Sequence, residues 1–363
     1  MFKSLLRDKL FLALLILTSL IKILSFNESW VEHYYTYGFY PVISKVLRFM
    51  FGWLPFSVGD LLYLTAAIYL LLKVFKFLRI LSKRQLKQYL TRVLLKKTLR
   101  FVLWVYLIFN IFWGLNYNRL GIAAQLKLNV EPYTVQDLDS LNFILQQRLN
   151  TYASSVDSVK RNTLNHNRIL FDEGITAYKR IQSSMPFLAY PYPSIKPSMF
   201  SGIGHYFGFT GYYNPFTGEG QIKTSVPFFL KPFIVTHEIG HQLGYAKENE
   251  ANFVAFFACR SSTNPEFRYS LYFEIYQYAI RELYRRDSVK AKMYREQLHP
   301  RVKKDIKELM NYLIRSKNPV EPWITNFYDE YLKLNNQPKG KLTYDEVVAW
   351  LIAYQKKFGL QSI

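Results

Sequence analysis

A mainly helical protein is predicted, with a membrane-embedded N-terminal third and a second, mixed α+β part carrying a small edge sheet. Three observations predict it. Three apolar stretches crowd the first 117 residues. Helical periodicity dominates from residue 134 onward. A Pro/Gly-rich stretch over 190–220 interrupts that periodicity and favours short extended pieces between turns.

The apolar stretches cover residues 10–26, 56–72 and 99–117. Each approaches the roughly 20 residues a helix needs to cross a bilayer, so residues 1–117 are expected to form an anchor of three transmembrane helices. Lys22 and Asp60 sit near segment ends, where a charge can reach the interface. Lys3, Arg7 and Lys9 precede the first stretch, and the segment 73–100 carries Lys73, Lys76, Arg79, Lys83, Arg84, Lys87, Arg92, Lys96, Lys97 and Arg100 with no acid among them. Cytoplasmic loops carry such an excess of Lys and Arg. The expected topology is therefore multi-pass in the cell (inner) membrane, with the N-terminus and a basic loop over 73–100 in the cytoplasm and residues 118–363 outside it. Trp30, Tyr34, Tyr35, Tyr37, Phe39, Tyr40 and Trp53 suit the aromatic belt at a membrane interface.

The formal charge is +21, but it does not point to nucleic acid. Its densest run lies between two apolar stretches, where charge sets membrane orientation, and no nucleic-acid recognition motif accompanies it. The single cysteine, Cys259, excludes an internal disulfide and a cysteine-based zinc site. It sits in an apolar run and reads as a small core residue.

Thr134 followed by Asp137 resembles a helix start, and Leu138, Leu141, Leu145 and Leu149 continue at helical spacing. Within the Pro/Gly-rich stretch, 207–213 and 221–225 are expected to be extended. Pro232 is tolerated only in a first helical turn and Gly244 favours a helix end, so a helix is expected between them. His299-Pro300 reads as the opening of another helix, and His205 and His299 as structural or exposed histidines.

The chemistry lies in the helix bounded by Pro232 and Gly244. His237 and His241 stand four residues apart, one turn apart on one face, which lets two imidazoles reach one zinc ion. Glu238 projects beside that face and can take a proton from the attacking water. With six histidines in the chain, chance placement of this pattern is on the order of one in two hundred. The neighbours Phe233, Ile234, Val235, Ile239 and Leu243 make the helix a buried one, and burying two histidines and an acid without a partner is costly. A catalytic zinc site needs a third protein ligand. Lys247 occupies the place where a metzincin would carry its third histidine, and protonated lysine cannot bind a metal. A carboxylate on the next helix, which opens with Glu248, Asn249 and Glu250, remains.

This segment resembles the gluzincin pattern, in which the third ligand begins an E-x-x-A-D turn. The resemblance implies Glu248 as the ligand and Asn252 in the place of the Asp that orients a zinc-bound histidine. The gap from His241 is shorter than in most gluzincins, which keeps Glu250 as the alternative ligand. The resemblance also implies a zincin-like domain over 118–363, with an edge strand near Tyr212 and Tyr213 that holds substrate or steadies an oxyanion.

The chain as a whole resembles a bacterial membrane family called domain of unknown function 3810. The likeness rests on the segments 113–117 (WGLNY), 211–219 (GYYNPFTGE), 237–244 (HEIGHQLG), 248–253 (ENEANF) and 331–336 (YLKLNN). It implies the membrane-plus-HExxH architecture and no substrate. The expected activity is that of a zinc-dependent hydrolase, a metallopeptidase cleaving a peptide or protein substrate beside the lipid bilayer. Two rivals are a pseudoenzyme or structural membrane protein with a stabilising metal, and a zinc amidase acting on lipid or cell-wall substrates. An intact Glu238 speaks against the first, because a structural site has no use for a base.

Overall fold

The computed structural model describes residues 8–84 and 92–363. Lys3, Arg7 and Lys87, which entered the expected topology, lie outside the described residues. The chain is mainly helical, with one three-stranded sheet among the described residues.

The N-terminal helices differ in extent from the expected spans. Helix α1, Lys9–Ser25, is capped by the Asp8 carboxylate, which accepts from Phe11 N. After it the chain bends by 99° into a helical run through Phe51. Its first part, Val31–Phe39, is π-helical, and its last, α2, is Tyr40–Phe51. Tyr40, Ser44 and Arg48 form the buried face of α2, whereas Val42, Val46, Phe49 and Met50 stay exposed. Of the expected aromatic belt, Tyr34, Tyr37, Phe39 and Trp53 are exposed, but Tyr35 and Tyr40 are core residues.

Helix α3, Val58–Ser82, runs ten residues beyond the expected end at 72, because good helix formers continue through Lys73, Lys76 and Arg79. Its 25 residues are about 37 Å long, more than the roughly 30 Å hydrocarbon core. No residue of its apolar window is buried, and it is long and apolar enough to cross a membrane. The bent pair formed by α1 and the following helix is a second candidate.

Helix α4, Arg92–Phe112, corrects the third expected span. Lys96, Lys97 and Arg100 occupy its first half, and it stops at Phe112. Its uncharged part, 101–112, is therefore only about 18 Å long. The expected end of that span, Trp113 to Tyr117, is instead buried in the globular part, with Gly114–Asn118 in a 3₁₀ turn. The basic segment 73–100 is correspondingly helical up to Ser82 and again from Arg92. Helices α1 and α4 run side by side in the same direction: Asp8 pairs with Arg100, and near the other end Ile21 and Phe109 pack on the cluster around Trp113.

Beyond residue 120 the core is built by α5 (Val135–Ser155), α6 (Asn167–Ile181), α7 (Lys231–Gln242), α8 (Glu248–Ser261) and α9 (Pro265–Arg286). The α5 start is a capping box: Thr134 Oγ1 accepts from Asp137 N, and the Asp137 carboxylate accepts from Thr134 N. Leu138, Leu141, Leu145 and Leu149 are fully buried at helical spacing. Every residue of α7 is buried, as are 248–259 of α8, so these two helices form the centre of the domain. Cys259 is one of its small residues, facing Thr236.

The sheet consists of β1 (Ile195–Pro197), β2 (Gly211–Asn214) and β3 (Glu219–Ile222) in the order β1-β3-β2. β1 pairs parallel with β3, and β2 pairs antiparallel with it, Tyr212 opposite Gln221. The extended pieces expected over 207–213 and 221–225 are thus displaced. Gly204–Phe207 is helical, and Gly208 at φ 68° turns the chain before β2 begins. Helices α10 (Pro300–Ser316), α11 (Glu321–Leu334) and α12 (Val347–Phe358) complete the fold. His299 caps α10, its Nδ1 accepting from Arg301 N.

The segments expected as anchor (1–117) and domain (118–363) share buried surface. Glu32 pairs with Arg119 at 2.9 Å, and both are buried. Ser44 Oγ and Tyr40 Oη donate to the Gln242 carbonyl at the end of α7. Glu219 of β3 accepts from Val58 N, Gly59 N and Ser57 Oγ at the start of α3, and from Lys196 Nζ of β1 at 2.7 Å. An anion at a helix N-terminus satisfies otherwise unpaired N–H groups. Asp60, expected at the membrane interface, is fully buried and accepts from Met199 N and Tyr212 Oη.

Candidate metal centre

Helix α7 starts with Pro232 in its first turn. The Phe233 N–H, which has no partner inside the helix, donates to Ser270 Oγ at 3.1 Å. The helix ends at Gln242, and Gly244 at φ 91° reverses the chain, with Tyr245 N returning to Gly240 O. That tight reversal lets α8 begin only six residues after α7 ends and sets its first residue, Glu248, against the two histidines.

The three side chains converge on one point. Nε2 of His237 lies 3.2 Å and Nε2 of His241 3.6 Å from the same oxygen, Oε2 of Glu248. One ligand atom from each of the three lies within 4.8 Å of the others. The other ring nitrogens point outward. His241 Nδ1 is 2.7 Å from the Tyr245 carbonyl, which can only accept, so Nδ1 carries the proton and Nε2 presents a lone pair. His237 Nδ1 is 2.8 Å from Oδ1 of Asn252, which fixes the same tautomer. Oε1 of Glu248 accepts from Tyr328 Oη at 2.6 Å, while its Oε2 faces the two imidazoles.

Three metal-ligating side chains thus face one another in a buried space. Such a set requires a proton or a cation between its members. Two imidazole nitrogens and a carboxylate oxygen, oriented by partners on their far sides, match the donor set of a catalytic zinc ion.

The electrostatics of the ion-free cluster show the same demand. Burial would raise the Glu248 pKa, but hydrogen bonds and charge from His237 and His241 outweigh it and hold the carboxylate below its usual range. Burial disfavours charged His241, but its hydrogen bond with Glu248 and the Glu248 charge prevail and lift it to about 9. His237 is lowered, chiefly by burial. In the ion-free cluster these shifts favour a proton shared between His241 and Glu248. Glu238 is pushed up to about 8, first by burial and further by the Glu248 charge, with His241 opposing. Its Oε2 has no hydrogen-bond partner among the described residues.

Glu250, the alternative ligand, is turned elsewhere. It is two residues along α8, about 200° around the helix from Glu248, and packs against Gly121 and near Arg119. Gly121 has φ 80°, and a Cβ there would collide with the Glu250 carboxylate. Burial raises the Glu250 pKa, with Lys247 and Arg119 opposing.

The two tyrosines expected near substrate have their hydroxyls committed away from the cluster. Tyr212 Oη donates to Asp60 and lies 3.2 Å from Ser198 Oγ. Tyr213 Oη is 3.3 Å from Tyr40 Oη, and its ring lies 4.6 Å from that of Trp113. An oxyanion role for either hydroxyl would require breaking those contacts. Their strand β2 is nonetheless an edge of the sheet beside α7. A Cβ on Gly211 would strike the Glu238 carboxylate, so β2 passes directly over that acid. His205 lies on the short helix before β2 and has no part in the cluster.

Several neighbours of the cluster carried no sequence signal. The Tyr245 carbonyl is main chain. Tyr328 arrives from α11, eighty residues beyond Glu248. Trp113 lies with its ring 6.1 Å from that of His241. A pair of tyrosines three apart on one helix, Tyr328 and Tyr331, was the one available hint.

Asn252→Ala should weaken zinc binding by about 10- to 100-fold without abolishing it, the usual effect of removing a partner that orients a ligand. Competition with a chromogenic chelator measures this, and unchanged affinity would remove Asn252 from the centre.

No curated protein and no solved structure matches the chain. Residues 35–352 match the family described as "Protein of unknown function (DUF3810)". The match begins in the π-helical segment, ends in α12, and contains every residue of the cluster. The chain belongs to this DUF3810 family.

Proposed function

We propose that the chain is a membrane-anchored zinc-dependent hydrolase with a zincin-like domain, and that peptide bonds are its substrate class. The observation that carries this reading is the convergence of His237, His241 and Glu248 beside Glu238, an acid with no use in a purely structural site. A zinc ion there, when bound, supplies Lewis-acid polarisation of a carbonyl and makes a nearby water acidic.

The chain's own residues supply the rest. Glu238 takes the proton of the attacking water and returns it to the leaving amine. Burial raises its proton affinity, so Glu238 once ionised is a stronger base than an exposed carboxylate, and the charge of a bound cation would favour that ionised form. Tyr328 and Asn252 hold Glu248 and His237 in register. The free edge of β2 can hold an extended peptide by main-chain hydrogen bonds, with Gly211 allowing its backbone close to Glu238. An extended peptide fits this edge better than a lipid or cell-wall amide does.

Three N-terminal helices, α1, α3 and α4, cross the membrane in this reading. The parallel course of α1 and α4 and the length of α3 support it, with the basic ends of α3 and α4 snorkelling to the cytoplasmic face. A reporter active only outside the cytoplasm should then work when fused at the C-terminus and stay silent when fused near Lys87. The opposite pattern would invert the topology.

The activity test uses full-length protein in detergent micelles and a mixed peptide library read by mass spectrometry. Cleavage should appear with the zinc-loaded protein, vanish on chelation and return with added zinc. No cleavage by zinc-loaded protein, together with release of fatty acid or glycan-linked amine from membrane or cell-wall fractions, would replace the peptidase with an amidase.

A further inference from the structure

A cavity lies between α2 and the α7–α8 turn, lined in part by Gln242, Leu243 and Tyr245. Its volume is about 210 Å³, below the roughly 300–1,000 Å³ of pockets for drug-sized ligands but roomy for a small polar group. Lys45 and Arg48 of α2 line it together with Arg119, Gln125 and Tyr245. No acid is among its lining residues.

The state of Arg48 is unusual. Its side chain is 3% exposed, and Nε donates to Ser44 O. Its Nη1 has no hydrogen-bond partner, and it makes no ion pair, among the described residues. A buried guanidinium without a counter-ion costs several kcal/mol. Among the described residues its compensation is neutral, from the Ser44 carbonyl and from Tyr190, whose ring lies 4.9 Å from the guanidinium carbon. The neighbouring Arg119 differs, because Glu32 already neutralises it. The cavity therefore offers two uncompensated positive charges, one buried on Arg48 and one exposed on Lys45.

Its place in the fold narrows the ligand. Helix α2 belongs to a run bent 99° from α1, so if α1 stands across a bilayer, α2 lies nearly along its surface. The exposed Val42, Val46, Phe49 and Met50 then face the acyl chains, and Arg48 on the opposite face lies at headgroup level. Guanidinium donors pair with phosphate oxygens in a bidentate fork, and a lysine adds a point charge.

We infer that the cavity between α2 and the α7–α8 turn is a binding site for a phosphate-type oxyanion, held by Arg48 and Lys45. An anionic phospholipid headgroup and free phosphate share this chemistry, and two measurements on the full-length chain separate them. The first is native mass spectrometry from phosphatidylcholine nanodiscs with and without phosphatidylglycerol. The second is the melting temperature in detergent as inorganic phosphate is added.

Wild-type protein should retain phosphatidylglycerol in preference to phosphatidylcholine. Arg48→Gln should weaken that retention by about tenfold or more, the effect of losing a charged hydrogen bond. Lys45→Gln should weaken it less, and Arg48→Lys should restore part of it. A phosphate-dependent rise in melting temperature with the same order of variants assigns free phosphate as a ligand as well, and its absence beside lipid retention assigns the headgroup. Wild-type protein that shows neither response overturns the site. Binding that survives both Arg48→Gln and Lys45→Gln also overturns it, by placing the ligand elsewhere. Should Arg48→Gln lose its cooperative melting transition, Lys45→Glu, changed on an exposed side chain, decides the location alone.

Discussion

His237→Ala, His241→Ala and Glu248→Ala should each empty the metal centre. Wild-type protein purified without chelators should carry about one zinc per chain, and each variant less than about a tenth of that. The expectation follows from geometry, since the three ligand atoms share one buried point and removing any of them leaves two donors facing an open side. Glu250→Ala should keep its zinc, because that side chain is packed against Gly121. Elemental analysis of the four variants is the measurement. An empty Glu250→Ala beside a filled Glu248→Ala would transfer the ligand role between the two acids.

Zinc uptake should also be coupled to protons, with a definite sign. His241 is lifted to about 9 in the ion-free cluster, so at pH 7 it carries a proton that the metal must displace. Calorimetry at pH 7 in two buffers of different ionisation heat should therefore register release of at least one proton per zinc, and apparent affinity should fall as pH falls below about 9. Uptake without proton release at pH 7 would contradict the charged state of His241.

Glu238→Gln carries the second large effect. The substitution keeps the size of the side chain and removes its basicity. Zinc should stay near one per chain while hydrolysis of a peptide identified with wild-type protein falls by a factor of ~10² or more. Among the described residues Oε2 of Glu238 has no hydrogen-bond partner, so the substitution breaks no contact at that atom. Full activity in this variant would mean that another group moves the proton. Retained zinc with lost activity separates chemistry from assembly, which no histidine substitution can do.

The parts of this architecture legible in the sequence were the local ones. Thr134 with Asp137, Pro232, Gly244 and His299-Pro300 each act within a few residues, and each marks a helix end in the structure. The four-residue spacing of His237 and His241 likewise needs only one helical turn, and their rings lie 4.7 Å apart. Long-range partners left no such trace. The Tyr328 hydroxyl reaches Glu248 across eighty residues, and a main-chain carbonyl orients His241. The limits of the apolar helices were misjudged for a related reason. Hydropathy marks where apolar side chains stop, but the α3 helix continues through lysines and arginines, and Trp113, Leu115 and Tyr117 are apolar because the globular core takes them. Asp60 looked like a charge at a helix end and is a buried acceptor for Met199 and Tyr212.

The shared buried surface between the first 117 residues and the remainder bears on how such a protein can be controlled or handled. Many membrane-tethered enzymes can be shed by a single cut in a stalk, and the freed ectodomain works on its own. Among the described residues no stalk of that kind separates the two parts. Removing the N-terminal third would strip Glu32 from Arg119, leaving a buried guanidinium at a cost of about 3–5 kcal/mol. It would also take three donors from Glu219 and two from the Gln242 carbonyl at the end of the histidine helix. A protease site inserted into the exposed stretch 129–132 leaves Glu32 and Arg119 on one fragment, and the contacts of Glu219, of the Gln242 carbonyl and of Arg119 with the Gly244 carbonyl should keep the two fragments together through purification in detergent. A C-terminal fragment that leaves the membrane soluble and folded would show that the two parts are separable after all. If they are not, a cut between the two parts cannot release the second as an independent unit, and crystallographers cannot obtain a soluble folded piece by trimming the helices away.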